Sequence, residues 1–279
     1  MPEGDTIYRT ARALGRALTG KLITGFQTEY ALIARANDEA PFIGQSIQHI
    51  EARGKWLLIH FSGGSVLATH MLMSGSWHIY RPGEVWQGKP GNARIVLETA
   101  DFVAVGFRIP LARMHTAESL IRDRKIPRSE NDVLSKTFDP AAAVRRLMAR
   151  GQDEIANVLL RQDILAGVGN VFKSETCFLL GISPFRRAGT LSQAQAEEIV
   201  ATAQRLLAAN VLEDSDDLIV TYGGHRRTTR NANPGESLWV YGRKNEPCRR
   251  CGTAIQRCLQ GPNARSTYWC PTCQPAAQD

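Results

Sequence analysis

The sequence predicts a multidomain protein of mixed α and β structure, with a β-rich N-terminal half, a helical second half and a metal-binding ribbon near its end. Short apolar runs with the length of strands fill residues 21–116, which favours a β-sandwich or barrel. Helical periodicity replaces them after residue 140. Two Cys-x2-Cys pairs follow, at Cys248/Cys251 and Cys270/Cys273. The 279 residues suffice for one large domain or two ordinary ones.

The first segment predicts a helix over residues 5–18, with Asp5 as its N-cap and Gly20 as its stop. Pro2 precedes it. Removal of Met1 by an aminopeptidase would leave Pro2 as a free secondary amine, whose pKa of roughly 7.7–8.0 keeps a useful fraction unprotonated near neutral pH. Such an amine can attack a carbonyl-like carbon, and Glu3 is a candidate general acid. Met-Pro-Glu also begins many chains without any catalytic role.

The β-rich half is built from apolar runs separated by turn residues. Gly63-Gly64 predicts a hairpin turn, and Pro82–Gly91 a loop. The predicted strands are Leu22–Phe26, Trp56–Phe61, Ser65–Met71, Trp77–Tyr80, Ala93–Leu97 and Phe102–Val105.

In the helical half, Asp139-Pro140 predicts a helix start, and Ser192 with Gln195 predicts a capping box. The run Gly223–Asn231 holds no large apolar side chain and predicts a mobile basic loop. The predicted helices are 140–150, Ile155–Arg161, Val171–Leu180 and one from Ser192 through Ala209, with a strand at Glu236–Tyr241. The predicted domains are 1–117, a linker over 118–139, then 140–235 and 236–279.

The charge of the chain is concentrated near its C-terminus. The formal net charge is +7, and residues 218–279 hold nine lysine and arginine residues against three acidic ones. A basic surface concentrated in one region suggests a polyanionic partner, and the alternative is a generally basic protein with a solvated tail. The clustering of the charge favours nucleic acid. No apolar run approaches the ~20 residues of a membrane helix, and acidic Glu3 and Asp5 stand where a signal peptide is basic. We therefore expect a cytoplasmic protein.

Five of the six cysteines lie in the last 32 residues, which indicates metal rather than disulfides in a reducing compartment. The 18 residues between Cys251 and Cys270 give the spacing of a tetrahedral four-cysteine zinc site. Such a site has no open position, so the zinc is expected to be structural. Cys258 is expected to be a spare thiol, with competition as a ligand left open.

Between the two cysteine pairs, Arg257 and Arg265 stand on a short predicted hairpin. A guanidinium at the tip of a ribbon can bind phosphate. A solvated side chain is the favoured interpretation for Arg257 and not for Arg265.

Four separated motifs resemble the formamidopyrimidine-DNA glycosylase/endonuclease VIII family of DNA repair enzymes. They are MPEGD at the start, RGKWLL at 53–58, LAGVGNVFKSE at 165–175, and VYGRKNEPCRRCG with NARSTYWCPTCQ at the end. The resemblance covers essentially the whole chain and lies closest to the endonuclease VIII branch. It implies an N-terminal β-sandwich flanked by helices, a helix–two-turn–helix domain and a zinc ribbon, in a monomer that acts on damaged double-stranded DNA.

The resemblance also implies catalytic roles. Pro2 corresponds to the nucleophile that attacks C1′ of the damaged nucleotide, and Glu3 to the acid that protonates the opening sugar. Lys55 corresponds to a lysine that contacts phosphate and assists β-elimination. Arg265 corresponds to the zinc-finger arginine that binds phosphate and aids δ-elimination. Without the family, Lys55 is more simply a surface lysine entering a strand.

Further positions resemble DNA contacts of the family. His70 and Asn170 correspond to phosphate contacts, and Glu175 to a further active-site carboxylate. Met73 corresponds to the apolar wedge that fills the vacated base stack. Its alternative is a core methionine on a strand.

The expected activity is therefore a bifunctional DNA glycosylase and AP lyase of base excision repair. The segment Val103–Pro110 lacks the DPRRFG-like loop of the formamidopyrimidine branch, which favours oxidised pyrimidines as substrates. Thr6 stands near the place where the endonuclease VIII branch often has a glutamate. An oxidised-purine glycosylase and a non-catalytic zinc-ribbon DNA-binding protein are the alternatives.

Overall fold

The computed structural model describes residues 2–212, 226–229 and 233–276. These residues form two compact units, one comprising residues 2–128 and the other the described residues from 129 onward. The division falls inside the predicted linker 118–139, and the proposed four-part division of the chain stays a prediction. Within the described ranges, no helix is both long and apolar enough to cross a membrane.

Two antiparallel four-stranded sheets form the body of residues 2–128. Their orders are β1-β6-β7-β5 and β2-β3-β4-β8. The strands are β1 (Gly25–Thr28), β2 (Ile47–Arg53), β3 (Trp56–Phe61), β4 (Ser65–His70), β5 (Ser76–Tyr80), β6 (Ala93–Glu98), β7 (Val103–Phe107) and β8 (Leu111–Thr116). Side chains of both sheets share one apolar core, so of the two expected arrangements the sandwich is confirmed.

The helices of this unit are α1 (Gly4–Leu18), α2 (Ala31–Glu39) and α3 (Ala117–Arg122). Helix α1 begins one residue before the prediction, because the carbonyl of Glu3 already accepts the N–H of Ile7 at 3.1 Å. Glu3 is therefore the N-cap, and Asp5 lies buried in the first turn instead of capping it. Gly20 has a φ of +79° just beyond the helix end.

Four elements of this unit were not predicted from the sequence, namely α2, α3, β2 and β8. Strand β2 alternates apolar and polar residues and contains no apolar run, because one of its faces does not enter the core. The predicted strand Leu22–Phe26 is wrong in its first half, where Leu22 forms only an isolated bridge with Ser46. The hairpin turn at Gly63-Gly64 joins β3 to β4, and Gly64 has a φ of +82°.

The second unit contains the predicted helices and a hairpin. Its elements are α4 (Pro140–Met148), α5 (Ile155–Leu159), α6 (Asn170–Leu179), α7 (Gln193–Leu212), β9 (Gln256–Gln260) and β10 (Arg265–Trp269). The Asp139 carboxylate accepts the N–H of Ala142 at 2.9 Å, as expected of its N-cap. Ser192 and Gln195 make both bonds of the capping box, at 3.1 and 3.2 Å.

The predicted strand at Glu236–Tyr241 is wrong. The segment follows a 3-10 turn at Pro234–Glu236 and pairs with no other strand among the described residues. The N–H groups of Trp239, Val240 and Tyr241 instead donate to the carboxylate of Glu175 at 2.8–2.9 Å. A side chain thus satisfies the amides that a neighbouring strand would otherwise bind.

Candidate functional site

In the first unit, the predicted catalytic pair stands at the start of α1, which packs on β2 and β3. Pro2 is half-buried and Glu3 is fully buried. The N-terminus of a helix carries partial positive charge, so it favours an anionic group at this point. Burial at the N-cap holds the Glu3 side chain in a fixed place beside the predicted nucleophile.

Lys55 and His70 lie close together at the junction of β2, β3 and β4. Gly54, with a φ of +61°, makes the turn that brings Lys55 to the start of β3. Next to Lys55, Trp56 pairs in register with His70, and their rings meet edge-on at 5.1 Å. Burial, and the positive charge of Lys55, lower the pKa of His70 to about 4. The ring is therefore neutral at physiological pH.

The backbone of Leu72, in the loop that follows β4, determines which ring nitrogen of neutral His70 carries the proton. The backbone N–H of Leu72 donates to Nδ1 of His70 at 3.0 Å. In the neutral ring the proton then resides on Nε2. A neutral N–H beside a lysine can donate a hydrogen bond to a phosphate oxygen, as the resemblance predicts for this histidine.

Met73 lies in the tight turn that joins β4 to β5 and is 70% exposed. The N–H of Gly75 donates to the Met71 carbonyl at 2.8 Å, and a Cβ at Gly75 would lie 2.9 Å from the Met71 backbone. The turn therefore requires glycine and directs Leu72 and Met73 outward. This exposure removes the alternative of a core methionine, and the wedge role stays a prediction.

Two residues near Met73 were not predicted from the sequence. Leu72, with a φ of +46°, is 42% exposed and adds a second apolar side chain to the turn. Arg108 also has a φ of +46°, is exposed, and its carbonyl lies 3.5 Å from the Ser74 hydroxyl. The Ser-Gly pair after Met73 signalled a turn that includes Leu72, whereas no local pattern signalled Arg108.

In the second unit, Asn170 is the first residue of α6 and is 7% exposed. Gly167, with a φ of +98°, makes the turn before it. The side chain of Gln162 holds this turn by accepting from the Gly167 N–H and donating to the carbonyl of Val168. The arrangement presents the N-terminus of a ten-residue helix, where backbone N–H groups can bind a phosphate. Gln162 is a supporting residue that no sequence pattern indicated.

Glu175 is fully buried on α6. Its carboxylate accepts the Thr228 hydroxyl in addition to the N–H groups of Trp239, Val240 and Tyr241. Burial raises its pKa, and these four donors oppose the rise. In this unit Glu175 fastens Thr228 and Trp239–Tyr241 to α6, and its predicted active-site role stays a prediction.

The predicted mobile loop Gly223–Asn231 is described only in part. Residues 223–225 and 230–231 lie outside the described residues. Within Arg226–Thr229, the backbone of Arg227 bonds both to and from the side-chain amide of Asn210, at 2.7 and 2.8 Å. The Arg226 guanidinium lies 5.3 Å from the centre of the Phe172 ring. These contacts connect Arg227 to α7 and Arg226 to α6, and the mobility of the loop stays a prediction.

The four predicted zinc ligands converge. Within the described part of the chain, the Sγ atoms of Cys248, Cys251, Cys270 and Cys273 all lie within 4.8 Å of one another, and Cys258 is not in the group. Sulfurs 2.3 Å from a tetrahedral ion are about 3.8 Å apart. The Cys248–Cys273 and Cys251–Cys270 separations of 3.8 and 3.4 Å fit that geometry. The backbone N–H groups of Arg250 and Cys273 also donate to the sulfurs of Cys248 and Cys270, each at 3.4 Å.

The hairpin of β9 and β10 carries Arg265 at its turn end, opposite Gln260. Arg265 is exposed, and no side-chain partner for it is found among residues 2–212, 226–229 and 233–276. Arg257 instead donates to the Ser266 hydroxyl at 3.0 Å. Buried Lys173 of α6 donates to the Ser266 carbonyl and the Thr267 hydroxyl at 3.0 and 2.7 Å. Strand β10 is thereby fixed to α6 directly after Arg265, while the Arg265 side chain is exposed.

Comparison with protein families gives three successive matches. Residues 1–109 match the formamidopyrimidine-DNA glycosylase N-terminal domain, and residues 130–220 match the helix–two-turn–helix (H2TH) domain of the same enzyme. Residues 245–276 match the zinc finger found in FPG and IleRS. The zinc finger and the geometry of the four cysteines together indicate one structural zinc ion.

Relatives of the chain align with it over most or all of their own length. The chain is 39% identical over 278 residues to a probable endonuclease 8 2 of Streptomyces coelicolor, covering 98% of this chain and 94% of the relative. It is 36% identical over 277 residues to the DNA-(apurinic or apyrimidinic site) lyase Nei2 of Mycolicibacterium smegmatis, covering 99% and 100%. An Escherichia coli endonuclease 8 is 32% identical over 281 residues, covering 98% and 100%.

Solved structures share the fold. MutM in complex with DNA containing carbocyclic 8-oxo-G matches with a TM-score of 0.81 at 21% identity, over 99% of this chain and 100% of that one. Lactococcus lactis Fpg in complex with abasic-site DNA matches with a TM-score of 0.80 at 20% identity, over 98% and 100%. At these identities the likeness concerns the fold alone.

Proposed function

The chain belongs to the formamidopyrimidine-DNA glycosylase/endonuclease VIII family, and we propose from this premise that it removes oxidised pyrimidines from duplex DNA and then cleaves the strand. The activity is that of a DNA glycosylase and AP lyase of base excision repair. One observation carries the assignment of the chemistry to the N-terminus. Glu3 is fully buried at the N-cap of α1, directly beside Pro2.

The reaction begins with a base taken out of the stack. The Pro2 nitrogen, freed by removal of Met1, attacks C1′ with its lone pair, and the base leaves with the electrons of the glycosidic bond. The nitrogen then loses its proton, and the departing base takes up one proton, so that the charges balance. Glu3 delivers a proton to the ring oxygen as the sugar opens. The product is an iminium ion between Pro2 and C1′.

The iminium acidifies the hydrogen on C2′. Loss of that proton expels the 3′ phosphate by β-elimination, and a second elimination expels the 5′ phosphate. Lys55 and the Nε2–H group of neutral His70 are suited to hold the phosphate next to the lesion, since they lie together where β3 begins and β4 ends. A single amine thus serves both the glycosylase and the lyase steps.

The second unit supplies further phosphate contacts. We assign these to the N-terminus of α6 at Asn170 and to Arg265 at the tip of the hairpin. The exposure of the Arg265 guanidinium supports this role, because an exposed charged donor is available to an anion. The monomeric state and the cytoplasmic location belong to the same proposal.

The substrate class is tested by comparing two lesions. Duplexes with thymine glycol and with 8-oxoguanine opposite cytosine are cleaved under single-turnover conditions. We expect faster cleavage at thymine glycol. A preference for 8-oxoguanine would reject the pyrimidine assignment and favour an oxidised-purine glycosylase, and binding without cleavage of either duplex would favour a DNA-binding protein.

A further inference from the structure

A second group of metal-binding side chains lies in the first unit, on neighbouring strands β2 and β3. It consists of His49, Glu51 and His60, whose ligand atoms all lie within 4.8 Å of one another. We propose that these three residues bind a divalent transition-metal ion. The ion would be held by two imidazoles and one carboxylate, with its remaining positions open to water.

A β-bulge brings the two histidines together. Ile47 pairs with Phe61, and continuation of that register would place His49 opposite Ile59. The register shifts between Ile47 and His49, so that His49 faces His60 instead. Bulges commonly serve to redirect a side chain. The centroids of the His49 and His60 rings lie 3.8 Å apart, and the ring planes are 17° from parallel.

The distance between the Glu51 carboxylate and the His60 ring already matches the separation of two ligand atoms on one metal ion. Glu51 follows His49 on the same face of β2, and its Oε1 lies 3.1 Å from Nε2 of His60. Nitrogen and oxygen ligands about 2.1 Å from an ion are separated by about 3.0–3.4 Å. The ligand atom of His49 lies within 4.8 Å of both of the other ligand atoms.

The types of ligand select the class of ion. Two imidazoles with one carboxylate suit zinc, nickel, copper and iron, whereas calcium and magnesium prefer oxygen ligands alone. His49 is exposed, and His60 and Glu51 are half-buried, so water can complete the coordination.

One neighbour opposes the binding of a cation. The Arg53 guanidinium donates to Oε1 of Glu51 at 2.5 Å, so it competes with an ion for the same oxygen. This competition predicts the direction in which the metal affinity changes when the arginine is replaced. Removal of the arginine charge is expected to tighten metal binding at this site, and only there.

The experiment uses the untagged full-length chain with its cysteine zinc in place, verified as one zinc per chain by elemental analysis. Titration with Ni²⁺ by calorimetry is expected to reveal one further equivalent. His60→Gln and the double variant His49→Asn/His60→Asn are expected to weaken Ni²⁺ binding by at least about tenfold. Arg53→Gln is expected to strengthen it. The zinc content, measured after each titration, verifies that nickel has not replaced zinc at the cysteines.

His78→Gln is the matched control, because it removes an imidazole of the same unit that lies outside the group. It is expected to retain the nickel equivalent. Far-ultraviolet circular dichroism checks that each variant is folded. If the His60 variants do not fold, the single His49→Asn variant, which changes an exposed residue, is used to test nickel binding. Absence of a further equivalent in the parent chain would overturn the proposal. So would its full retention in the His49→Asn variant, or an unchanged affinity in Arg53→Gln.

Discussion

His70 accepts the backbone N–H of Leu72 at Nδ1, 3.0 Å away. This bond ties the conformation of the exposed turn at residues 71–75 to the ring that we assign to a phosphate contact. It also leaves Nε2 as the only ring nitrogen that carries a proton when the imidazole is neutral. One hydrogen bond therefore fixes both the backbone of the turn at Leu72 and the tautomer of His70 that can donate to a phosphate.

The low pKa of His70 predicts a specific loss of stability in acid. Burial and the Lys55 charge lower that pKa to about 4 in the folded protein, whereas the unfolded chain takes up a proton near pH 6.5. The free energy of unfolding therefore falls as the pH drops from about 6.5 to about 4, by at most about 3 kcal/mol from this group.

His70→Gln removes this contribution. Urea unfolding of both proteins between pH 4.5 and pH 7 is expected to show a shallower pH dependence in the variant. Parallel curves would contradict the assignment of a low pKa to His70.

Met73→Ala is expected to weaken cleavage and leave stability unchanged. The side chain is 70% exposed, so its truncation should alter the free energy of unfolding by less than about 0.5 kcal/mol. If the side chain fills the gap left by an extruded base, its loss is expected to slow single-turnover cleavage of a lesion duplex by roughly tenfold. Such a loss corresponds to a part of the few kcal/mol that unstacking a base costs. Val85→Ala, at an apolar residue that is 87% exposed, is the control. Equal cleavage rates in the two variants would argue against the wedge.

Arg265→Ala is expected to reduce DNA affinity by about 1.5–3 kcal/mol, the range for a hydrogen bond to a charged group. A lost phosphate contact also reduces the slope of log affinity against log salt by about 0.9. Arg257→Ala tests the same charge on the same hairpin, where the guanidinium already bonds Ser266. The account predicts a clearly smaller effect there, and equal effects would indicate that only the net charge of the ribbon matters.

Cys248→Ser is expected to abolish stoichiometric zinc, because Cys248 is buried among the four converging thiols. Its loss should also loosen the apolar cluster that joins the ribbon to α6, around Phe178, Val240 and Ile255. Cys258→Ser should retain one zinc per chain. Zinc analysis together with thermal unfolding distinguishes the Cys248→Ser variant from the Cys258→Ser variant. Loss of zinc in Cys258→Ser would place that thiol among the ligands.

The sequence was informative where one physical requirement dominated. Strand β3 is buried along almost its whole length and reads as an apolar run, and the cysteine spacing specifies the ribbon. Strand β2 was missed because its polar face carries His49, Glu51 and Arg53, so no apolar run marks it.

Long-range partners were not predictable from local patterns. The segment Glu236–Tyr241 reads as a strand, yet its amides bind a carboxylate more than 60 residues earlier in the chain. For the same reason, the convergence of Lys55 with His70, and the holding of the hairpin by Lys173, required the folded structure. Residue types indicated the chemistry, and tertiary contacts determined which side chains meet.

The central claim is that the Pro2 amine forms a covalent intermediate with the sugar. Borohydride reduction in the presence of abasic-site duplex, followed by mass spectrometry of the N-terminal peptide, tests it most directly. The Met1-processed chain is expected to yield an adduct on Pro2, and Pro2→Gly, or a chain that retains Met1, should trap far less. Full trapping and strand cleavage by a chain that retains Met1, or an adduct on any other residue, would contradict the account.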